Sequence, residues 1–292
     1  MNIAIFGNAM KHNTLDEVSH LLEFMELRQV DVYLSQELRQ EMNLREYPAF
    51  PAEDEAWQAF TKEGNMIDFA LSIGGDGTFL TTASIIGNKN IPIVGINCGH
   101  LGFLAEVQTN QVDIIMEQLI KGRYTIEQRS LLHVKGEGGH LSAPYALNEI
   151  AVMKSGLSSM ITIEVNVNGE LLHTYEADGL VISTPTGSTA YNLSVGGPLM
   201  EPHVKAIILS PIATHRLSVR PLVIPDDWTI DLKISSRNGN YLISVDGRSR
   251  SLLNEVQLHI EKAPYTTKVV QLEEHSFIQA LKDKLQWGKY IC

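Results

Sequence analysis

Cysteine is nearly absent from this 292-residue chain, and its two residues, Cys98 and Cys292, make neither a disulfide framework nor a CxxC metal pair. Basic residues are also scarce. Lys and Arg number 23 against 34 Asp and Glu, a net charge of −11, which excludes duplex nucleic acid or an anionic membrane held by overall attraction. A phosphate ligand would need local devices instead: backbone amides, helix N-termini or a bound cation. No run approaches the ~18 uninterrupted apolar residues of a membrane span. The opening Met1-Asn2-Ile3-Ala4-Ile5-Phe6 has no basic stretch and reads as a strand, so a soluble, cytoplasmic protein is expected. Several chemistries lack an anchor. Gly7-Asn8-Ala9-Met10 fails the G-x-G-x-x-G pattern, and neither G-x-x-x-x-G-K-[ST] nor G-x-S-x-G occurs. His133, His203 and His215 show no metal-ligand spacing, so no protein-held metal is expected.

Hydrophobic residues make up 44% and charged residues 20%, the composition of a folded protein. At ~100–200 residues per domain the length predicts two domains. Residues 1–122 alternate apolar runs with helical periods, which predicts an α/β domain with a Rossmann-like parallel sheet. Strands are expected at 2–6, 30–34, 67–73 and 91–96. Thr14 and Glu17 have capping-box spacing before a helix, Thr109 precedes another carrying Val112, Ile115, Met116 and Leu119, and Pro48 and Pro51 mark a loop. Residues 123–275 carry short β-branched runs at 131–134, 150–153, 161–167, 179–183, 228–234, 241–245 and 256–260, predicting a β-rich domain of layered sheets or a sandwich. Asn168-Gly169 and Asn238-Gly239 are turn signals. Residues 276–292 return to helical spacing as a C-terminal helix and tail.

Four segments carry chemistry. In Ser72-Ile73-Gly74-Gly75-Asp76-Gly77-Thr78 a buried strand ends in glycines and a helix follows near Thr78. Such a turn lets phosphate oxygens approach backbone N–H groups, and Asp76 then suits a base or a cation ligand; a tight turn capped by Asp76 is the plainer alternative. Residues 178–198 run from a strand into a turn with the hydroxyls of Ser183, Thr184, Thr186, Ser188 and Thr189, and offer Tyr191 as an aromatic face. The hydroxyls are either neutral donors for phosphate or caps on their own backbone. Asn148 and Glu149 lie side by side in an apolar strand, able to meet ribose hydroxyls or simply to be exposed on an edge. Asn97-Cys98-Gly99-His100-Leu101-Gly102-Phe103-Leu104 follows a strand at the place where parallel sheets bind ligands, with Phe103 as core filler the alternative.

Together these segments resemble the NAD kinase family: Gly74 through Thr78, Gly95-Ile96-Asn97 with Gly99, Leu101 through Leu104, Asn148-Glu149, Asp178 through Pro198, and Ser244-Val245-Asp246-Gly247 occur in that family's order. The Gly-Gly-Asp-Gly element is shared with diacylglycerol, sphingosine and 6-phosphofructo-kinases, whereas Thr184-Pro185-Thr186-Gly187-Ser188-Thr189-Ala190-Tyr191 is far more specific. The resemblance implies a phosphotransferase that moves the ATP γ-phosphoryl group to the adenosine 2′-hydroxyl of NAD, giving NADP, in a cleft between two domains. It implies Asp76 as proton acceptor and Gly74, Gly75, Gly77 and Thr78 as the ATP-phosphate loop. For NAD it implies contacts by Asp76, Gly77, Phe103, Asn148, Glu149, Asp178, Thr189, Ala190, Tyr191, Asn192, Leu193, Ser194 and Ala213. Mg²⁺ or another divalent cation would arrive with ATP, and a homodimer or homotetramer is implied. The chain departs from the family's pattern at Thr81, Glu176 and Arg248. A non-catalytic NAD-binding sensor and a lipid kinase of the diacylglycerol or sphingosine type are the alternatives. The sensor gains nothing from a base at the 2′-hydroxyl, and the lipid kinase needs an apolar acceptor groove.

Overall fold

The computed structural model describes residues 1–10, 12–99, 102–105, 107–108, 111–136, 141, 143–156, 160–216, 218–272 and 276–287. The chain forms two compact units, Met1–Gln128 with Thr267–Cys292, and Arg129–Thr266.

The first unit contains β1 (Asn2–Gly7), α1 (His12–Glu26), β2 (Asp31–Leu34), α2 (Gln36–Glu41), α3 (Asp54–Lys62), β3 (Phe69–Gly74), α4 (Asp76–Ile86), β4 (Ile93–Asn97), β5 (Val107–Gln108) and α5 (Val112–Ile120). Its strands pair in parallel in the order β4-β3-β1-β2. β3 and β4 are buried along their whole lengths, which is why both read as unbroken apolar runs. Such a sheet binds ligands beyond the carboxyl ends of its strands, where the order reverses between β1 and β3.

Sequence and structure differ locally here. Thr14 does not cap α1; the helix already starts at His12, and Thr14 lies fully buried inside its first turn. Thr109 lies outside the described residues. The stretch around Pro48 and Pro51 is a loop flanked by α2 and α3, which the apolar pattern did not announce. α2 is short and held by Ser35, whose hydroxyl accepts the Leu38 N–H, while α3 buries no residue fully. α4 begins at Asp76, two residues ahead of the Thr78 expected from the sequence.

The second unit is built from β6 (Tyr124–Gly136), β7 (Tyr145–Ala146), β8 (Glu149–Lys154), β9 (Ile161–Val167), β10 (Glu170–Ala177), β11 (Gly179–Ser183), a 3-10 turn (Thr186–Thr189), α6 (Tyr191–Ser194), β12 (Ala206–Ile212), β13 (Leu222–Pro225), β14 (Ile230–Ser235), β15 (Asn240–Val245), β16 (Arg248–Leu253) and β17 (Leu258–Leu272). One antiparallel sheet runs β13-β12-β11-β8-β15-β16, and β10-β9-β14-β17 form a second ladder. Ile150, Leu180 and Ile243 from the one and Ile163, Leu232 and Ile260 from the other share one core. Alternation along β9, buried at every second residue, is the mark of a strand with one face on that core.

Asn168-Gly169 closes the β9–β10 hairpin with both residues left-handed, at φ 50° and 80°. Asn238-Gly239 joins β14 to β15, which lie in different sheets, so that turn makes no hairpin. β17 pairs with β14 at Ile260 and later, through Val269, in parallel with Ile93 of β4. Residues 267–272, grouped by the sequence pattern with the β-rich segment, therefore fold with the α/β unit, to which α7 (Phe277–Leu285) with its cap Ser276 also belongs. No helix among the described residues is long and apolar enough to cross a membrane.

Candidate functional site

In the α/β unit the site starts where β3 runs into α4. Gly75 is the N-cap and provides no side-chain cap; the Thr78 N–H donates to the Gly75 carbonyl at 2.9 Å, which leaves the Asp76 and Gly77 amides of the first turn for an anion. Asp76 does not cap the helix either. Its carboxylate reaches across to the chain beyond β4, Oδ2 accepting the Phe103 N–H at 2.8 Å and Oδ1 those of Leu104 and Ala105 at 2.9 and 3.0 Å. Oδ2 thus keeps room for one more donor. Asn97 braces the same loop, donating to the Ala105 carbonyl at 3.2 Å and accepting the Gly99 N–H at 2.6 Å. Gly102 has to be glycine, because a Cβ there would lie 1.8 Å from Asp76 Oδ1. Phe103 is half-buried, and Lys284 of α7 places its ammonium 4.2 Å from the ring centroid. Beside the loop a cavity of about 220 Å³ opens at the carboxyl ends of β1 and β2, lined by Phe6, Gly7, Ser35, Phe50, Thr78 and Thr81.

In the β-rich unit the decisive pair is Asn148 and Glu149, only 6% and 8% exposed. Asn148 Oδ1 and Glu149 Oε2 are buried without a hydrogen-bond partner among the described residues. Two adjacent orphaned acceptors are costly, at ~1–3 kcal/mol each, and point to donors that arrive with a ligand. Burial pushes the Glu149 carboxyl up to about 7, the negative charge of Asp246 adds to this, and the Tyr191 N–H opposes it. Asp178 is paired with Lys154 at 2.7 Å. Ala213 sits in the left-handed region at φ 44°, unusual for a residue with a Cβ and a strain that tends to gather at functional positions.

Residues 3–124 match the family model of the ATP-NAD kinase N-terminal domain, and residues 147–272 that of the ATP-NAD kinase C-terminal domain. The chain belongs to the ATP-NAD kinase family. An NAD kinase of Bacteroides fragilis is 43% identical over 99% of this chain and 98% of its own length. One of Flavobacterium johnsoniae is 38% identical over 99% of both. At that likeness the chain is an enzyme that phosphorylates NAD. Two solved structures show the same fold. Yeast NADH kinase complexed with NADH gives a TM-score of 0.87 at 24% identity, over 100% of this chain and 89% of that one. An NAD kinase from Archaeoglobus fulgidus in complex with ATP gives 0.76 at 24%, over 98% and 99%.

Within this NAD kinase the structure shows what the polar groups of the 183–194 segment touch. Four of the five hydroxyls of residues 183–189 bond to the protein itself. Ser183 donates to the Asn148 and Thr184 carbonyls, Thr184 to that of Leu147, Ser188 to that of Met200 and Thr189 to that of Thr186. Ser183 and Thr184 fasten the loop to the 147–148 backbone, and all four hydroxyls donate to backbone carbonyls. Asn192 does not offer its side chain to a ligand. It is wholly buried, its amide donating to the Ser188 and Pro198 carbonyls and its oxygen accepting from Ser210. Thr189, Ala190, Tyr191 and Leu193 are half-buried, and Ser194, Ala213 and Gly77 are exposed. His100 and Leu101 lie outside the described residues.

Lys154, Lys284 and Asp246 were not among the residues singled out for binding or catalysis. Lys154 meets Asp178 only through the β8–β11 register, and Lys284 meets Phe103 only because α7 packs back on the α/β unit. Asp246 entered the sequence reading only within Ser244-Val245-Asp246-Gly247, one of the segments that carry the family resemblance.

Proposed function

We propose that this NAD kinase transfers the γ-phosphoryl group of ATP to the 2′-hydroxyl of the adenosine ribose of NAD, with Asp76 accepting the hydroxyl proton. The observation that carries the reading is the orphaned pair Asn148 Oδ1 and Glu149 Oε2. In the bound ground state a ribose presents two neighbouring hydroxyl donors, the complement of two neighbouring buried acceptors, and the 2′-hydroxyl turns its single proton to Asp76 only as it attacks. A diacylglycerol has one free hydroxyl and would leave an acceptor unpaired, which disfavours that lipid as acceptor.

Asp76 suits the base because its clamp on residues 103–105 fixes the carboxylate while Oδ2 keeps a free lone pair. The donor phosphates are assigned to the amides at the start of α4, where a Cβ on Gly75 or Gly77 would meet nothing within 4 Å. The adjoining cavity takes part of the donor nucleotide. Tyr191 offers a ring to the adenine, and Asp178, Thr189, Ala190, Leu193, Ser194 and Ala213 line the remainder of the NAD site as the resemblance implies. Among the described residues no group of three or more His, Cys, Asp or Glu is placed to hold a metal ion. A divalent cation such as Mg²⁺ is assigned to the ATP phosphates on the strength of the resemblance, where it would neutralise charge on the transferring group. Assembly into a dimer or tetramer belongs to the same proposal and rests on the resemblance.

The test is incubation with NAD, ATP and MgCl₂, with NADP read by an NADP-specific dehydrogenase. Wild-type protein should form NADP, and Asp76→Asn should form it at least ~10²-fold more slowly. Wild-type protein that binds NAD by calorimetry but forms no NADP would overturn the reading in favour of a sensor.

A further inference from the structure

The turn between β15 and β16 carries a carboxylate in the same arrangement that Asp76 adopts. Asp246 and Gly247 are its two central residues, both left-handed at φ 47° and 78°, and they join Val245 to its partner Arg248. That is the two-residue hairpin geometry in which Asn-Gly and Asp-Gly are favoured. Asp246 Oδ2 accepts the Leu147 N–H at 2.8 Å, and Oδ1 accepts those of Asn148 and Glu149 at 2.8 and 3.1 Å. The Asp246 N–H in turn donates to the Glu149 carbonyl at 3.0 Å. Four hydrogen bonds thus bind one turn to the residues that bear the orphaned acceptors.

The turn does not need a carboxylate, since Asn would close it equally well. The carboxylate also has an electrostatic cost, because it lies near the buried Glu149 and is itself pushed up by burial, against the pull of the three amides and of Arg248. A costly group kept where a neutral one would serve the turn calls for another role.

We propose that Asp246 is a positioning residue for the phosphoryl acceptor: by clamping the amides of Leu147, Asn148 and Glu149 it aims Asn148 Oδ1 and Glu149 Oε2 at the ribose hydroxyls. The inference rests on Asn148 and Glu149 receiving those hydroxyls. Its second consequence is electrostatic. The charged and polar groups acting on Glu149 are Asp246 from the hairpin and the Tyr191 N–H from α6, with Arg248 acting on Asp246. Removing the charge of Asp246 therefore lets Glu149 ionise at lower pH.

Asp246→Asn separates these effects from folding. Asn-Gly preserves the turn and its left-handed backbone, while the amide nitrogen cannot accept an N–H and so releases at least one arm of the clamp. The expected result is a KM for NAD raised by ~10-fold, the scale of one hydrogen bond to a charged group. Further, kcat should change far less, and the pH inflection of kcat/KM for NAD should move to lower pH. Gly247→Asn is the companion variant. It alters the turn but leaves the carboxylate, and a Cβ there meets nothing within 4 Å. It should keep the wild-type KM and inflection even if it melts earlier.

Asn148→Ala and Glu149→Ala run alongside. If both raise the KM while Asp246→Asn leaves KM and inflection at wild-type values, the inference is overturned and the ribose reading stands. If Gly247→Asn reproduces the changes of Asp246→Asn, the role belongs to the turn and the inference is overturned again. If Asn148→Ala and Glu149→Ala leave the KM unchanged, the ribose reading falls and takes the inference with it.

Discussion

Replacing Gly102 by alanine would put a Cβ 1.8 Å from Asp76 Oδ1, 2.5 Å from Cγ and 2.9 Å from Oδ2. No carboxylate atom can stay where it is, so the group must rotate and Oδ1 must release the Leu104 and Ala105 N–H groups. Hydrogen bonds to a charged acceptor contribute ~1.5–3 kcal/mol each, which sets an upper bound of ~3–6 kcal/mol for the two. Both bonds are part-buried, so the freed amides regain some water, and about half of the bound, ~1.5–3 kcal/mol, is the expected loss. If the clamp serves to hold the base, that loss appears in the transition state. kcat/KM should then fall about 10- to 150-fold, since ~1.4 kcal/mol is a factor of ten. Steady-state NADP formation measures this, with circular dichroism melts to confirm folding. Gly99→Ala is the control from the same loop, because its Cβ would come no closer than 4.0 Å to Asn97 Oδ1. A Gly102→Ala protein that melts normally and keeps kcat/KM within about twofold of wild type would refute the idea that this clamp positions Asp76.

Gly75 has φ −104° and empty space where a Cβ would go, so Gly75→Ala should leave the melting temperature unchanged. A raised KM for ATP would then report phosphates lying against that backbone, and an unchanged KM would place them elsewhere. Glu149 makes a pH-dependent prediction. Its carboxyl rises from 4.5 to about 7, so the folded chain holds the proton more tightly than the unfolded one. The stabilisation from that proton is complete below the unfolded value and is lost as pH climbs through the folded one. Glu149→Gln, neutral throughout, should match wild type at about pH 4 and be more stable at about pH 8, by on the order of 3 kcal/mol, while its KM for NAD rises. Equal melting temperatures at both pH values would contradict the burial of an ionising group. Tyr191→Ala should chiefly raise the KM for NAD, and lower turnover at constant KM would remove the ring as a binding platform.

The clearest parts of the fold in the sequence were those set by short-range forces. β3 is a fully buried strand, so its apolar run was visible, and the glycines after it marked the turn into α4. The strands β9 and β11 coincide with their apolar patterns because each one's neighbours and burial follow directly from residue type and period. The Asn168-Gly169 hairpin follows from the same local chemistry, as both of its residues adopt the left-handed conformation those types tolerate. Resemblance then named the family and the residues that matter. The sequence could not say what those residues touch. Asp76 clamps amides 27 to 29 positions away, and Asp246 clamps amides 97 to 99 positions away. No pattern of period 2 or 3.6 encodes such pairings; they exist only once sheet register brings the segments together.

The same reason explains why the sequence left the roles of other polar groups open. A row of Ser and Thr reads alike whether its hydroxyls face a phosphate or a neighbouring carbonyl, and only the packing of the 183–189 loop on Leu147 and Asn148 decided for the carbonyls. Asn192 stood in a binding motif, yet the fold placed Ser210 and Pro198 around its amide and turned it inward. Residue type and local period thus determined the strands, the turns and the inventory of chemical groups. Which group is held, buried or left without a partner was decided by contacts between distant segments, because hydrogen-bond satisfaction and desolvation depend on what surrounds an atom in space.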